Sequence, residues 1–168
     1  TITQLNATTY GERIKQEISD GIEITHTLQQ LLIDENGTIN KFDTIANNLV
    51  NDSVESIQLA PNGVVTDIYP EEENEAGKID LLNDKERGKI SCYARDDHIL
   101  ITQGPFELKQ GGEGIAVRNP VYLEDGTGQE YFWGFTIVIL RVPDVFQSRS
   151  VQYQNLDMSI GLQRCTKG

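Results

Sequence analysis

The chain has few of the residues from which catalytic and metal sites are built. Histidine occurs twice, as His26 and His98, and cysteine twice, as Cys92 and Cys165. Neither histidine has a partner at metal-ligating spacing, HExxH is missing, and two cysteines make no quartet. No GxSxG occurs, and no cysteine stands at a telling distance from a histidine, so no nucleophile with its base is visible. Gly111, Gly112 and Gly114 lack the Lys-Ser/Thr of a phosphate-binding loop and read as a bulge or tight bend in a sheet. Two cysteines allow one bridge, but spacing alone does not show that they meet, and so few set no redox compartment.

Positive charge and long apolar runs are also scarce. Lys and Arg number 14 against 26 Asp and Glu, a formal net charge of −12. Such a chain repels nucleic acid and anionic membrane surfaces, and the plainest use of the charge is solubility. The run Glu71-Glu72-Glu73-Asn74-Glu75 lacks the alternating oxygens and central glycine of an EF-hand loop and reads as solvated. No apolar run approaches the roughly 20 residues of a membrane helix, and no signal peptide is visible. The chain starts at Thr1 rather than methionine. The expectation is a piece of a longer protein, separated from its membrane anchors, with no cofactor and no nucleic-acid partner.

What is present is clear periodicity. The 168 residues, 38% apolar, fit one domain with one core. Residues 1–33 read as a single long helix, with Tyr10, Ile14, Ile18, Gly21, Thr25, Leu28 and Leu32 on one stripe. Gly11 and Gly21 weaken it, and Asp34-Glu35-Asn36-Gly37 stops it. A shorter helix opens at Asn40 or Lys41. Val54 to Leu59 and Val64 to Tyr69 read as a hairpin about the turn Pro61-Asn62-Gly63. Asp84 caps a helix over Lys85 to Arg95. Strands follow at 99–102, 107–108, 114–123 and 131–141, with Asp125-Gly126-Thr127-Gly128 turning between the last two. A short helix at 145–153 and a final strand through Leu156, Met158, Ile160 and Leu162 complete the reading.

Two helices, a hairpin, a third helix and a meander of strands give an α+β fold with a five- or six-stranded antiparallel sheet. By analogy this is a PAS-like antiparallel sheet with a long N-terminal helix. The expected organisation is a single domain over 1–168, with the long helix at 1–35 and the α/β core at 54–165.

An ordered set of short motifs carries a family resemblance over about Val54 to Val142. It runs Leu59-Ala60-Pro61-Asn62-Gly63-Val64-Val65, Ile68-Tyr69-Pro70, Asn74-Glu75, Gly77, Asp80-Leu81-Leu82, Arg87, Ala94-Arg95 and Thr102. Gly104-Pro105-Phe106-Glu107-Leu108, Gln110-Gly111-Gly112, Pro120-Val121-Tyr122 and Phe132-Trp133-Gly134 follow. Each is unspecific alone, but the set at this spacing resembles the CHASE domain. The resemblance implies a ligand-sensing ectodomain on the extracellular or periplasmic face of the membrane, between flanking transmembrane helices. It would control a cytoplasmic diguanylate cyclase or histidine kinase. In the family's plant cytokinin receptors, an aspartate matching Asp80 contacts the ligand and a threonine matching Thr102 shares its pocket. The plant receptors carry a second PAS-like domain for which this chain is too short.

The expected ligand contacts are therefore Asp80, Thr102, Tyr69, Phe106, Arg118, Tyr122 and Trp133. Asp80 reads either as a buried acceptor for a ligand N–H or as a cap of the following helix. Arg118, on a strand among apolar residues, either holds a carboxylate in the pocket or forms a salt bridge on the outer sheet face. Tyr69, Phe106, Tyr122 and Trp133 suit the lining for a small planar molecule, whereas Phe135 reads as core. The expected cleft lies between the sheet and the segment Tyr69 to Leu82. The function expected is non-catalytic sensing of a small molecule, with a homodimer formed through the N-terminal helix. The signal would leave through that helix and the last strand. The alternative is a non-sensing dimerisation or protein-interaction ectodomain.

Overall fold

The computed structural model describes residues 2–71 and 77–143, with side chains in the first helix described from Gly11 onward. The short helix expected at 145–153 and the last strand expected at 156–162 lie outside the described residues. Helix α1 spans Ile2–Asp34 and α2 spans Phe42–Leu49. Strands β1 (Val54–Pro61) and β2 (Asp67–Tyr69) precede α3 (Gly88–Asp97). Strands β3 (Ile101–Glu107), β4 (Glu113–Glu124) and β5 (Glu130–Arg141) follow. All five strands form one antiparallel sheet in the order β2-β1-β5-β4-β3. The two longest, β4 and β5, sit at and beside its centre.

The apolar stripe of α1 lies across one face of this sheet. Leu28 and Leu32 are fully buried there, with Ile24 beside them, against Ile57, Val117, Val121 and Val138. Burial of each leucine contributes about 1.5–3 kcal/mol. Further toward the N-terminus, Ile14 packs on Ile115 and Val142. Gly21 has a structural reason to be in the stripe: a Cβ there would lie 3.3 Å from Leu140 Cδ1, so the glycine lets the helix settle onto β5. A polar chain pins the same contact. The Thr136 hydroxyl donates to the Thr25 carbonyl at 3.0 Å, and the Asn119 amide donates to Gln29 Oε1 at 2.7 Å.

The opposite face carries a second core. Phe135, Ile137, Ile101 and Ala94 pack there with Leu81 and Val65. The first hairpin has a shorter return strand than its sequence suggests. Thr66 still donates its N–H to the Leu59 carbonyl of β1 at 3.0 Å, but Val64 and Val65 do not continue that ladder. Val64 instead bridges Asp80, and the Val65 N–H donates to the Ile79 carbonyl at 2.9 Å. That exchange of partners ties residues 77–81 over the sheet. The Asp84 carboxylate accepts from the N–H groups of Glu86 and Arg87, at 3.0 and 2.9 Å, so it caps a turn that precedes α3 rather than the helix itself.

Candidate functional site

A cavity of about 300 Å³ opens on the sheet face opposite α1. Its floor comes from strand alternation, in which successive side chains go to opposite faces. On β5, Ile137 and Ile139 line it, while Thr136 and Val138 face α1. On β4 it is Arg118, between Val117 and Asn119 of the α1 side. On β1 the lining residues are Glu55, Ser56 and Gln58. Ile79 and Leu81 form the facing wall, held by the hydrogen bonds to Val65 and from Leu81 N–H to the Gly63 carbonyl. The β3–β4 hairpin, Phe106 to Gln110, closes a third side. Of the cleft expected between the sheet and the segment Tyr69 to Leu82, the wall at Pro70, Ile79 and Leu81 is present; residues 72–76 lie outside the described residues.

Arg118 is the chemically unusual member. It is 4% exposed, and its Nη1 donates to Gln103 Oε1. Gln103 is oriented by its own amide donating to the Glu86 carbonyl at 3.2 Å. Among the described residues no carboxylate forms an ion pair with Arg118, so it is not the outer-face salt bridge of the alternative reading. Burial pushes its guanidinium down to about 9; the like charge of Arg87 acts the same way, and Asp84 acts against both. Arg87 also lines the cavity, with its Nη1 4.0 Å from Asp84 Oδ1.

Of the seven expected contacts, Phe106 and Arg118 line the cavity and five stand elsewhere. Asp80 sits between the lining residues Ile79 and Leu81, and its Oδ2 accepts from the Asn83 amide at 2.7 Å. Thr102 is registered opposite Val117, which places it on the α1 face. Tyr69 donates its hydroxyl to Asn47 Oδ1, next to α2. Trp133 donates its indole N–H to the Gly37 carbonyl at 3.1 Å, again on the α1 side. Tyr122 lies by α3, donating to the Arg95 carbonyl and stacking on His98 at 3.8 Å. The aliphatic residues Ile68, Ile79, Leu81 and Ile139 were not singled out from sequence. A strict odd-even reading of 117–119 and 136–139, anchored on Arg118, is the signal that finds the last of them. Gln103 is found the same way, since it shares its face with Arg118.

Among the described residues no three His, Cys, Asp or Glu side chains are grouped to hold a metal, and no helix is long and apolar enough to cross a membrane. Cys92, buried in α3, is disulfide-bonded; the other cysteine of the sequence, Cys165, lies outside the described residues.

A five-stranded antiparallel sheet with a long helix on one face and a small cavity on the other defines a PAS-like fold of the sensory kind. The chain belongs to the CHASE domain family, whose model matches residues 13–165. It is thereby a sensory ectodomain. Its fold is similar to that of an extracellular ligand binding receptor from Desulfohalobium retbaense DSM5692, with a TM-score of 0.61 and 17% identity. The match covers 84% of this chain and 25% of that receptor. No curated protein matches the chain.

Proposed function

We propose that this domain senses a small molecule bound in the cavity between the sheet and the residues Pro70, Ile79, Leu81 and Arg87. The observation that carries the reading is the cavity itself: three separate segments supply its walls, and at about 300 Å³ it lies at the lower end of small-molecule sites. An ectodomain that only pairs with another protein needs no such space. In this reading the domain is non-catalytic, faces the outside of the cell, and is joined to membrane helices and a cytoplasmic output domain, a diguanylate cyclase or a histidine kinase. Asp80 keeps a supporting role through the wall segment it bridges to Val64.

Dimerisation is proposed through α1 in the intact receptor. Ile14 is buried against the chain's own sheet and Ile18 is packed beside it, so the pairing surface is the helix face bearing Glu12, Gln16, Ser19 and Glu23, all exposed. A cysteine at Gln16 in the full-length protein should form a disulfide dimer under oxidising conditions, and its absence would remove the proposal.

Mass spectrometry of the purified domain under non-denaturing conditions tests the cavity. One small molecule per chain is expected, lost in Ile139→Phe, which fills the space. Retention in the filled variant would place the ligand elsewhere.

A further inference from the structure

The cavity carries positive charge that its own residues leave uncompensated. A guanidinium has five N–H donors. Arg118 uses Nη1 toward Gln103, a neutral acceptor, and forms no ion pair among the described residues. Its other nitrogens are not sealed in protein. Among the described residues the one buried side-chain polar atom without a partner is Ser91 Oγ, so the remaining Arg118 donors open onto the cavity that the residue lines. Buried charges are normally paired and hydrogen-bonded. Neither Asp84 nor the lining carboxylates Glu55 and Glu107 form an ion pair with Arg118. Asp84 stands beside Arg87, and Glu55 accepts from Arg141 Nε at 2.9 Å.

We infer that the ligand carries a carboxylate, bound by the Arg118 guanidinium, on a compact and largely apolar body. This rests on the ligand-binding reading above and specifies its ligand. The planar guanidinium fork matches a carboxylate in bidentate fashion. The body is apolar because Ile68, Ile79, Leu81, Ile137 and Ile139 form much of the remaining lining. Arg87, half-buried at the same cavity, adds to the field that draws the acid in.

The test uses the whole chain, thermal unfolding and calorimetry. The probes are monocarboxylates of graded size (butyrate, hexanoate, benzoate, indole-3-acetate), their primary amides, and inorganic phosphate. At least one acid should bind and raise the melting temperature, with its amide about ten- to a hundredfold weaker. Arg118→Met should erase the preference for the acid while raising the melting temperature of the unliganded domain, because it removes a buried charge. Equal binding of acid and amide in the wild type overturns the carboxylate and leaves the cavity reading intact. Binding of neither overturns both. Phosphate as effective as the acids overturns the apolar body. Should Arg118→Met not fold, the Arg118 Nε–H resonance of the wild type decides. A shift with acid but not with amide supports the inference, and no shift with either overturns it.

Discussion

Tyr122 shows how one side chain on the cavity face of the sheet serves structure instead of ligand. Its ring lies between His98, stacked at 3.8 Å, and Phe132, tilted at 5.7 Å, and its hydroxyl donates to the Arg95 carbonyl. Burial, with the negative charges of Asp96 and Glu130 acting the same way and Arg95 acting against them, pushes the phenol up to about 12. The folded value lies above the ordinary 10, so the contribution to stability is fully present below pH 10. It is lost as pH rises from 10 to 12, where the unfolded tyrosine ionises first. Tyr122→Phe should cost about 0.5–1.5 kcal/mol at neutral pH. It should also flatten the loss of stability between pH 10 and 12, read from denaturant midpoints at a series of pH values. An unchanged alkaline slope would show that the phenol is not the group responsible. At this scale the sequence was legible where residue chemistry conflicts with its surroundings. Arg118 is a charge among apolar strand residues, and the conflict pointed to the cavity. Asp80 and Thr102 carry no such signal of direction. Which way each side chain points depends on register with Val64 and Val117, residues distant in sequence.

Among the elements, β5 holds the feature that alternation alone mispredicts. Val121 pairs with Gly134 but Tyr122 pairs with Phe132, so Trp133 is an extra residue bulged out of the ladder. The bulge changes the faces of its neighbours. Phe132 and Phe135, three apart, come to the same side and meet edge to face at 5.2 Å, while Trp133 goes to the α1 side. The aromatic residues of β5 therefore divide between the two cores, and Phe106 of β3 is the aromatic side chain that lines the cavity. Gly134 permits this. Its φ is +151°, and a Cβ would lie 2.1 Å from the Ala60 carbonyl oxygen on β1. Gly134→Ala should destabilise the domain by at least about 3 kcal/mol, since backbone strain of about 1–3 kcal/mol adds to a clash with main-chain atoms that cannot swing aside. A denaturant midpoint near that of the wild type would mean that the bulge relaxes without cost. The spans of α1, β4 and β5 were legible because long periodic segments declare themselves. The bulge and the shortened β2 were not, because each depends on a competing partner: Ala60 across the strand for one, Ile79 and Asp80 for the other.

The described residues form a two-faced sheet, and single peptide units join residues of the cavity face to residues that hold α1. On β4, Arg118 of the cavity adjoins Asn119, whose amide reaches Gln29 of α1. On β5, Ile137 of the cavity adjoins Thr136, whose hydroxyl reaches the Thr25 carbonyl. The α+β order and the long helix were legible in the sequence. That the helix and the cavity lie on opposite faces was not, because the face each strand residue takes depends on the register between strands distant in sequence and on the shifts within it. On the ligand-binding reading proposed above, a ligand that draws Arg118 and Ile137 inward is expected to shift their neighbours against α1 through the same peptide units, and the 33-residue helix, about 50 Å long, to carry that shift beyond the sheet. Thr136→Val keeps the shape of the side chain and removes the donor to Thr25, which should cost about 1–3 kcal/mol. The cavity face is untouched, so the affinity for a binding carboxylate should stay within about twofold of the wild type, a difference under 0.5 kcal/mol. Hydrogen exchange separates binding from coupling. In the wild type the acid should slow exchange both in the strands around Arg118 and in the α1 amides near Thr25 and Gln29. In Thr136→Val the slowing should persist at the strands and vanish in α1. If the acid protects α1 equally in both proteins, the helix senses the ligand by another route.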